Sequence, residues 1–361
     1  MPRSRSVSIS CRTKIGLSGR SCNRIIKKYE IFFPFMNPRG LAGRACPEGR
    51  GVARCAGAMA GPLVIWVLGD GKPGHENQSL GLAEALGRAR PCEVHRISLA
   101  GVSRWRRVSH ALRETSGFPR PDLIVAAGHG THWTLWRLAA RMKCRSVVLM
   151  KPSLPVGWFG LCVAPEHDFQ GKPPAGNVVT TLGALNRVKY DPGVPRQGGL
   201  LLIGGPSASH GWDEADVLGR LEEIAAGNPA GYWQLTTSRR TPPGMLEKLR
   251  ERLPGVEVWS HEDTGPDWVP ARLGEAAEVW VSEDSVSMVY EALSSGARVG
   301  LLPVPRKAAD SRVLRGMADL LERGYLTDHG RWRATRALAA PPHVLREADR
   351  CAAVVVGRFG L

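Results

Sequence analysis

Twice in this chain a short run of branched apolar residues passes directly into a glycine-rich turn and then into a segment with helical spacing. Leu63 to Leu68 (LVIWVL) leads into GDGKPGHENQS and LGLAEALGRA, and Leu200 to Ile203 leads into GGPS and DEADVLGRLEEI. A run that is apolar at every position, rather than at alternate ones, predicts a strand covered on both faces, which is the situation of a parallel sheet. Related units recur: CEVHRISL, then Leu123 to Ala127 with a helix over Thr134 to Arg141, and Val279 to Ser282 with a helix over Val286 to Ser294 and a strand from Arg298 to Pro303. Strand, glycine turn and helix in repetition predict the α/β class, with two Rossmann-like domains facing across a cleft and ligands outside the carboxyl ends of the strands.

A length of 361 residues suits two such domains. The Pro- and Gly-rich stretch Asp191 to Gly199 reads as a linker between an N-terminal domain over 59–190 and a C-terminal domain over 200–340, with a final helix within 341–361, about Val344 to Arg358. Residues 1–58 read as a basic extension without sustained periodicity. Twelve Lys or Arg face only Glu30 and Glu48 there, so ten of the sixteen net positive charges lie in that segment. A targeting peptide, a membrane-contacting arm and upstream sequence ahead of a true start at Met59 all fit, and the last is the expectation.

With the charge so placed, the remainder is too weakly basic to suggest nucleic-acid binding. No apolar run is long enough to span a bilayer, and the eight cysteines show no CxxC or zinc-like spacing, so a reduced cytoplasmic protein is expected. His129 and His132 in GHGTH lie three apart, but on a turn with no third ligand nearby they suit local hydrogen bonds or substrate contact better than a metal.

The glycine turns locate candidate site residues. Gly69, Gly71 and Gly74 leave room for a ligand beside a helix N-terminus whose N–H groups suit an anion. His75 at the helix entrance is a candidate base or phosphate donor, with Glu76, Asn77 and Gln78 beside it; simple helix capping is the plainer reading. His167 and Asp168 stand at a strand end and are cleft candidates by position. In the second half Gly204, Gly205 and Ser207 form another candidate anion loop, and Ser238, Arg239 and Arg240 bring a hydroxyl and two guanidiniums to a strand terminus, suited to a diphosphate unless they are a solvated pair. Glu283, Asp284, Ser285 and Ser287 surround the next helix N-terminus. Glu291, one turn on, is placed to accept from ribose hydroxyls unless it faces solvent.

Two Gly-loop halves, a linker and a C-terminal helix resemble the GT-B architecture of glycosyltransferases. GKPGHENQSLGLAEAL resembles the Gly-Gly-His loop and helix of the peptidoglycan lipid-II N-acetylglucosaminyltransferase, with His75 at its His, and SVSMVYEALSSG resembles the donor-site helix of that enzyme and of lipid A disaccharide synthase, with Glu291 at the ribose position. GDGKPGHENQSLGLAEAL, PEHD, IGGPS, TTSRRTP and SEDSVSMVYEAL, in that order, resemble the mitochondrial-fission "elongate mitochondria" family over residues 62 to 340. The resemblance implies metal-independent transfer from a nucleoside-diphosphate sugar, used as substrate with no cofactor, and a lipid-linked acceptor reached from the inner membrane face. It also admits a nucleotide-sugar 2-epimerase using Glu166, Asp168 and Glu283, or a non-catalytic adaptor such as the plant members that recruit a dynamin-type fission protein.

Overall fold

The structure, a computed structural model, describes residues 61–169, 176–227, 231–307 and 312–361; the expectations for residues 1–58 lie outside the described residues. The first half runs β1 (Leu63–Gly69), α1 (Pro73–Ala89), β2 (Cys92–Ser98), α2 (Arg107–Glu114), β3 (Leu123–Ala127), α3 (His132–Met142), β4 (Arg145–Leu149), β5 (Leu161–Pro165) and β6 (Val178–Thr181). Its six strands are all parallel, in the order β2-β1-β3-β4-β5-β6.

The second half runs β7 (Gly199–Leu202), α4 (Glu214–Gly227), β8 (Trp233–Thr236), α5 (Met245–Arg252), β9 (Val256–Trp259), α6 (Trp268–Glu275), β10 (Glu278–Ser282), α7 (Val286–Ser295), β11 (Arg298–Leu302), α8 (Arg312–Glu322), β12 (Thr327–Asp328) and α9 (His329–Thr335). Its sheet is also parallel, ordered β12-β11-β10-β7-β8-β9. The all-apolar strands have the predicted consequence: each sheet carries a separate buried cluster on either face. Leu63, Ile65 and Val67 pack under α1, whereas Trp66 and Leu68 pack toward α3.

The order of strands dictates where each sheet leaves a crevice. In the first sheet the chain winds outward in opposite directions from β1 and β3, and in the second from β7 and β10, so the loops after these four strands diverge and open a gap between them. His75 follows β1 and His129 follows β3; Gly204 follows β7 and Asp284 follows β10.

The last helix, α10 (Glu347–Phe359), does not stay with the half that precedes it. Its Ala348, Cys351, Ala352 and Val355 join Leu82 and Leu86 of α1 in the first half's core, and Arg88 Nη2 meets Asp349 Oδ1 at 2.6 Å. This return strap and the segment after β6 hold the halves together. Asn186 donates from Nδ2 to Ser294 Oγ of α7 at 2.8 Å, and Arg187 joins Glu84 of α1 at 2.7 Å to Asp267, at the start of α6, at 2.9 Å. Among the described residues no helix is long and apolar enough to cross a membrane.

The helix after β1 starts at Pro73, so His75 stands at its entrance, as the sequence suggests, and Glu76, Asn77 and Gln78 continue its opening turns. Proline at the first helical position has its φ set for the helix and lacks an N–H that would have no partner there, and this outweighs the glycine that follows it.

Candidate functional site

A cavity of about 480 Å³ lies between the halves. Its first wall is the opening of α1: Pro73, Gly74, Glu76, Asn77, Gln78 and Leu80, with Arg96 from β2. Its floor is Ala184 to Arg187 of the connecting segment. The opposite wall is Arg239 from the loop after β8, Pro266, Asp267, Val269 and Pro270 around the start of α6, and Ser287, Met288 and Glu291 of α7. Residues more than 200 positions apart thus face each other because each half presents a helix start at its own crevice.

The two walls touch at one polar contact. Asn77 Nδ2 donates to Glu291 Oε1 at 2.5 Å. Protein surrounds Glu291 on nearly all sides although part of its surface opens to the cavity, and this burial pushes its carboxyl up to about 7, against the weaker downward pull of the Asn77 hydrogen bond. Glu291 therefore does not face bulk solvent. Ser285, the cap residue of α7, makes no side-chain cap bond, so the first-turn N–H groups of that helix keep their capacity to bind an anion. Arg96 and Arg239 are exposed, and among the described residues neither is engaged in an ion pair or a side-chain hydrogen bond.

His75 sits in the same helical turn but points elsewhere. Its ring lies over Gly128 in the crevice between β1 and β3, where a Cβ on Gly128 would overlap the imidazole, and its Nδ1 is 2.9 Å from Asp70 Oδ2. About a fifth of the His75 side chain is exposed, and Asp70 is buried beneath it. Asp70 was not among the sequence-derived candidates. It lies within the glycine turn, GDGKPG, and the signal was a carboxylate five residues before the histidine, close enough in a tight turn to reach it. A carboxylate on Nδ1 selects the tautomer that leaves Nε2 as a proton acceptor, the arrangement of a general base.

Near this pair, His129 is exposed and His132 is buried, their rings 5.3 Å apart. The Ser153 N–H donates to His132 Nδ1 at 3.2 Å; burial, then the neighbouring His129 and His75, push His132 down to about 4, so it is neutral at physiological pH. His167 is exposed and Asp168 half-buried on a short turn after β5, and neither lines the cavity. Among the described residues no group of three metal-ligating side chains gathers.

Several second-half candidates have other engagements. Arg240 Nη2 pairs with the buried Asp284 carboxylate at 2.7 Å, and its Nη1 donates to the Gly205 carbonyl at 2.9 Å. The Asp284 carboxylate also receives the Gly205 N–H at 3.0 Å. The space that Gly204 and Gly205 create is filled by protein: a Cβ on the former would overlap Asp284, and one on the latter would overlap the Arg240 carbonyl. Glu283 is buried and bonded to Arg306, and Ser207 closes a local turn by accepting from the His210 N–H at 3.0 Å. Ser238 is tied to Thr241 within its own loop. Of the residues expected to hold a nucleotide-sugar, the structure brings Arg239, Ser287 and Glu291 to the cavity. Gly204, Gly205, Ser207, Ser238, Arg240 and Ser285 do not line it.

The profile of the mitochondrial fission ELM1 family matches residues 73–359. No curated protein matches the chain in sequence. Among solved structures, a Listeria monocytogenes protein described as a UDP-N-acetylglucosamine 2-epimerase is similar at TM-score 0.54 and 15% identity, covering 83% of this chain and 97% of its own. The UDP-GlcNAc 2-epimerase of Neisseria meningitidis, bound to UDP-GlcNAc, is similar at TM-score 0.52 and 11% identity, covering 82% of this chain and 99% of its own. At such identities the likeness establishes the fold, the paired Rossmann-like GT-B architecture.

Proposed function

The chain belongs to the mitochondrial fission ELM1 family, and from that premise, joined to the geometry of the cleft, we propose that it binds a nucleoside-diphosphate sugar between its halves and transfers the sugar to an acceptor held on the first half. The observation that carries this reading is the cavity wall formed by Glu291, Ser287 and Arg239. It joins a carboxylate able to accept two ribose hydroxyls, an uncapped helix start for phosphate and an uncommitted guanidinium. A protein of the same fold is bound to UDP-GlcNAc, which supports the ligand class.

In the transfer step the acceptor hydroxyl gives its proton to His75 Nε2 while its oxygen bonds the anomeric carbon. The bond from that carbon to the diphosphate oxygen breaks, and its electron pair leaves with the nucleotide. Asp70 holds the imidazole by Nδ1 and stabilises the imidazolium that forms. Arg239 and the α7 N–H groups meet the charge on the departing diphosphate. These fixed donors supply what a metal supplies elsewhere, so chelation with EDTA is expected to leave nucleotide affinity unchanged. The acceptor we favour is lipid-linked and presented at a membrane surface.

Titration calorimetry with UDP and UDP-sugars tests the first claim: saturable binding is expected, and no heat with any nucleotide removes the enzymatic reading in favour of a scaffold role. Asp70→Asn tests the second. It should lower transfer by about two to four orders of magnitude with nucleotide affinity intact, because the base loses its orientation and not its ligand. A variant as active as the parent chain would dismiss His75 as the base. A 2-epimerase reading shares the fold, and the carboxylates it would recruit lie outside the cavity lining, as His75 does: Glu283 is held by Arg306, and Glu166 and Asp168 lie on the turn after β5. Incubation of UDP-GlcNAc without acceptor separates the two, since an epimerase would accumulate the 2-epimer.

A further inference from the structure

From Leu123 to Pro165 the chain contains no Asp or Glu but five basic residues and three tryptophans. The fold gathers most of these on one surface. On α3 the residues at helical spacing Trp133, Trp136, Arg137, Ala140 and Arg141 form the face turned away from the sheet, while Leu135 and Leu138 are buried beneath it. Trp158, from the turn before β5, stacks on Trp136 with ring centroids 4.7 Å apart, and Trp136 meets Trp133 at 5.0 Å. Trp133 and Trp158 are 38% and 43% exposed, an unusual display for the largest apolar side chains.

Among the described residues several arginines elsewhere are tied to carboxylates, as in Arg88–Asp349, Arg252–Glu222 and Arg333–Glu223, while others, such as Arg96 and Arg239, are not. On this surface Arg137, Arg141, Lys143 and Arg145 have no carboxylate partner among the described residues; Arg137 lies over Trp136 and Arg145 over Phe359. Beside them opens a shallow cavity of about 610 Å³ lined by Trp136, Trp158, Lys143, Arg145 and Arg358, with no acidic residue on its wall. Beyond the start of α3, Arg107 Nη1 donates to the Gly130 carbonyl at 2.5 Å and so anchors the neighbouring loop, on which Trp105 is 87% exposed between Arg104 and Arg106.

We propose that this face of the first half docks on a bilayer containing anionic phospholipid. Tryptophan rings favour the depth of the headgroups, where the indole is partly desolvated and its N–H finds a partner, while arginine and lysine reach phosphate and are attracted to an anionic surface. A water-facing patch would gain nothing from three clustered indoles, and a purely electrostatic one would not need them. The proposal does not depend on what the cleft binds.

The test is flotation of the full chain with vesicles of phosphatidylcholine alone and of phosphatidylcholine with phosphatidylglycerol. Retention on the anionic vesicles is expected, with weak or no retention on the neutral ones. Trp133→Ser/Trp158→Ser and Arg137→Glu/Arg141→Glu should each lower the partition coefficient about tenfold or more. All four residues are on the surface, so circular dichroism and UDP titration should match the parent chain. The paired variants also separate this face from the basic residues 1–58, which both leave unchanged. If both variants float like the parent chain, or the parent chain does not float at all, the proposal is overturned.

Discussion

Glu291→Gln is expected to bind UDP about tenfold or more weakly than the parent chain and yet to melt at a higher temperature at pH 8. Both effects come from its burial. The carboxyl stands at about 7 in the folded chain against 4.5 for the free group, so between these values the folded chain keeps a proton that the unfolded chain has released. Stability must therefore fall as pH rises from 4.5 to 7, and above 7 the full penalty is present, roughly 3 kcal/mol as an upper limit. Glutamine carries no charge to desolvate, and its carbonyl can still accept from Asn77.

What glutamine cannot do is offer a charged acceptor to two ribose hydroxyls, a difference of roughly 1–2 kcal/mol in such hydrogen bonds. UDP affinity of the parent chain should also rise between pH 6 and pH 8 as the carboxylate forms, and that dependence should vanish in the variant. Melting curves at pH 5 and pH 8 decide the matter. If the gap between variant and parent is the same at both, the penalty assigned to Glu291 is wrong.

Gly81→Ala makes the opposite point. Considered only as an interior position of α1, the change should stabilise by about 1 kcal/mol, since alanine is the better helix former. In the folded chain a Cβ on Gly81 would overlap the Asn186 carbonyl oxygen, and the obstacle is backbone rather than a side chain that can rotate away. Asn186 is the residue whose side chain bonds Ser294 Oγ and the Tyr290 carbonyl of α7, so displacing it moves the helix that carries Ser287 and Glu291. A net loss of roughly 2 kcal/mol or more is expected, with weaker UDP binding alongside. Denaturant titration would show a lower midpoint; a midpoint equal to or above the parent's would mean that the halves can part at no cost.

The class of fold was legible in the order of residues alone. Runs such as LVIWVL and LLLI leave no polar face for solvent, so they demand layers on both sides, and each glycine turn that follows announces a crevice at a strand end. That order also pointed to Glu291, Ser287 and Arg239, because a helix start at a strand terminus is a local feature. Local pattern had no means of separating Arg239 from Arg240. One reaches the cavity and the other is held by a carboxylate 44 positions away.

The same limit hid the use of Gly204 and Gly205, whose room is taken by Asp284 and Arg240, and the pairing of Asn77 with Glu291 across 214 residues. Nor did it reveal that α10 returns to the first half, or that three tryptophans from two separate segments cluster on one surface. Periodicity and turn chemistry act over a few residues and are written in the order of the chain. Which charge finds which partner depends on distances that exist only once both sheets are wound and the strap is closed.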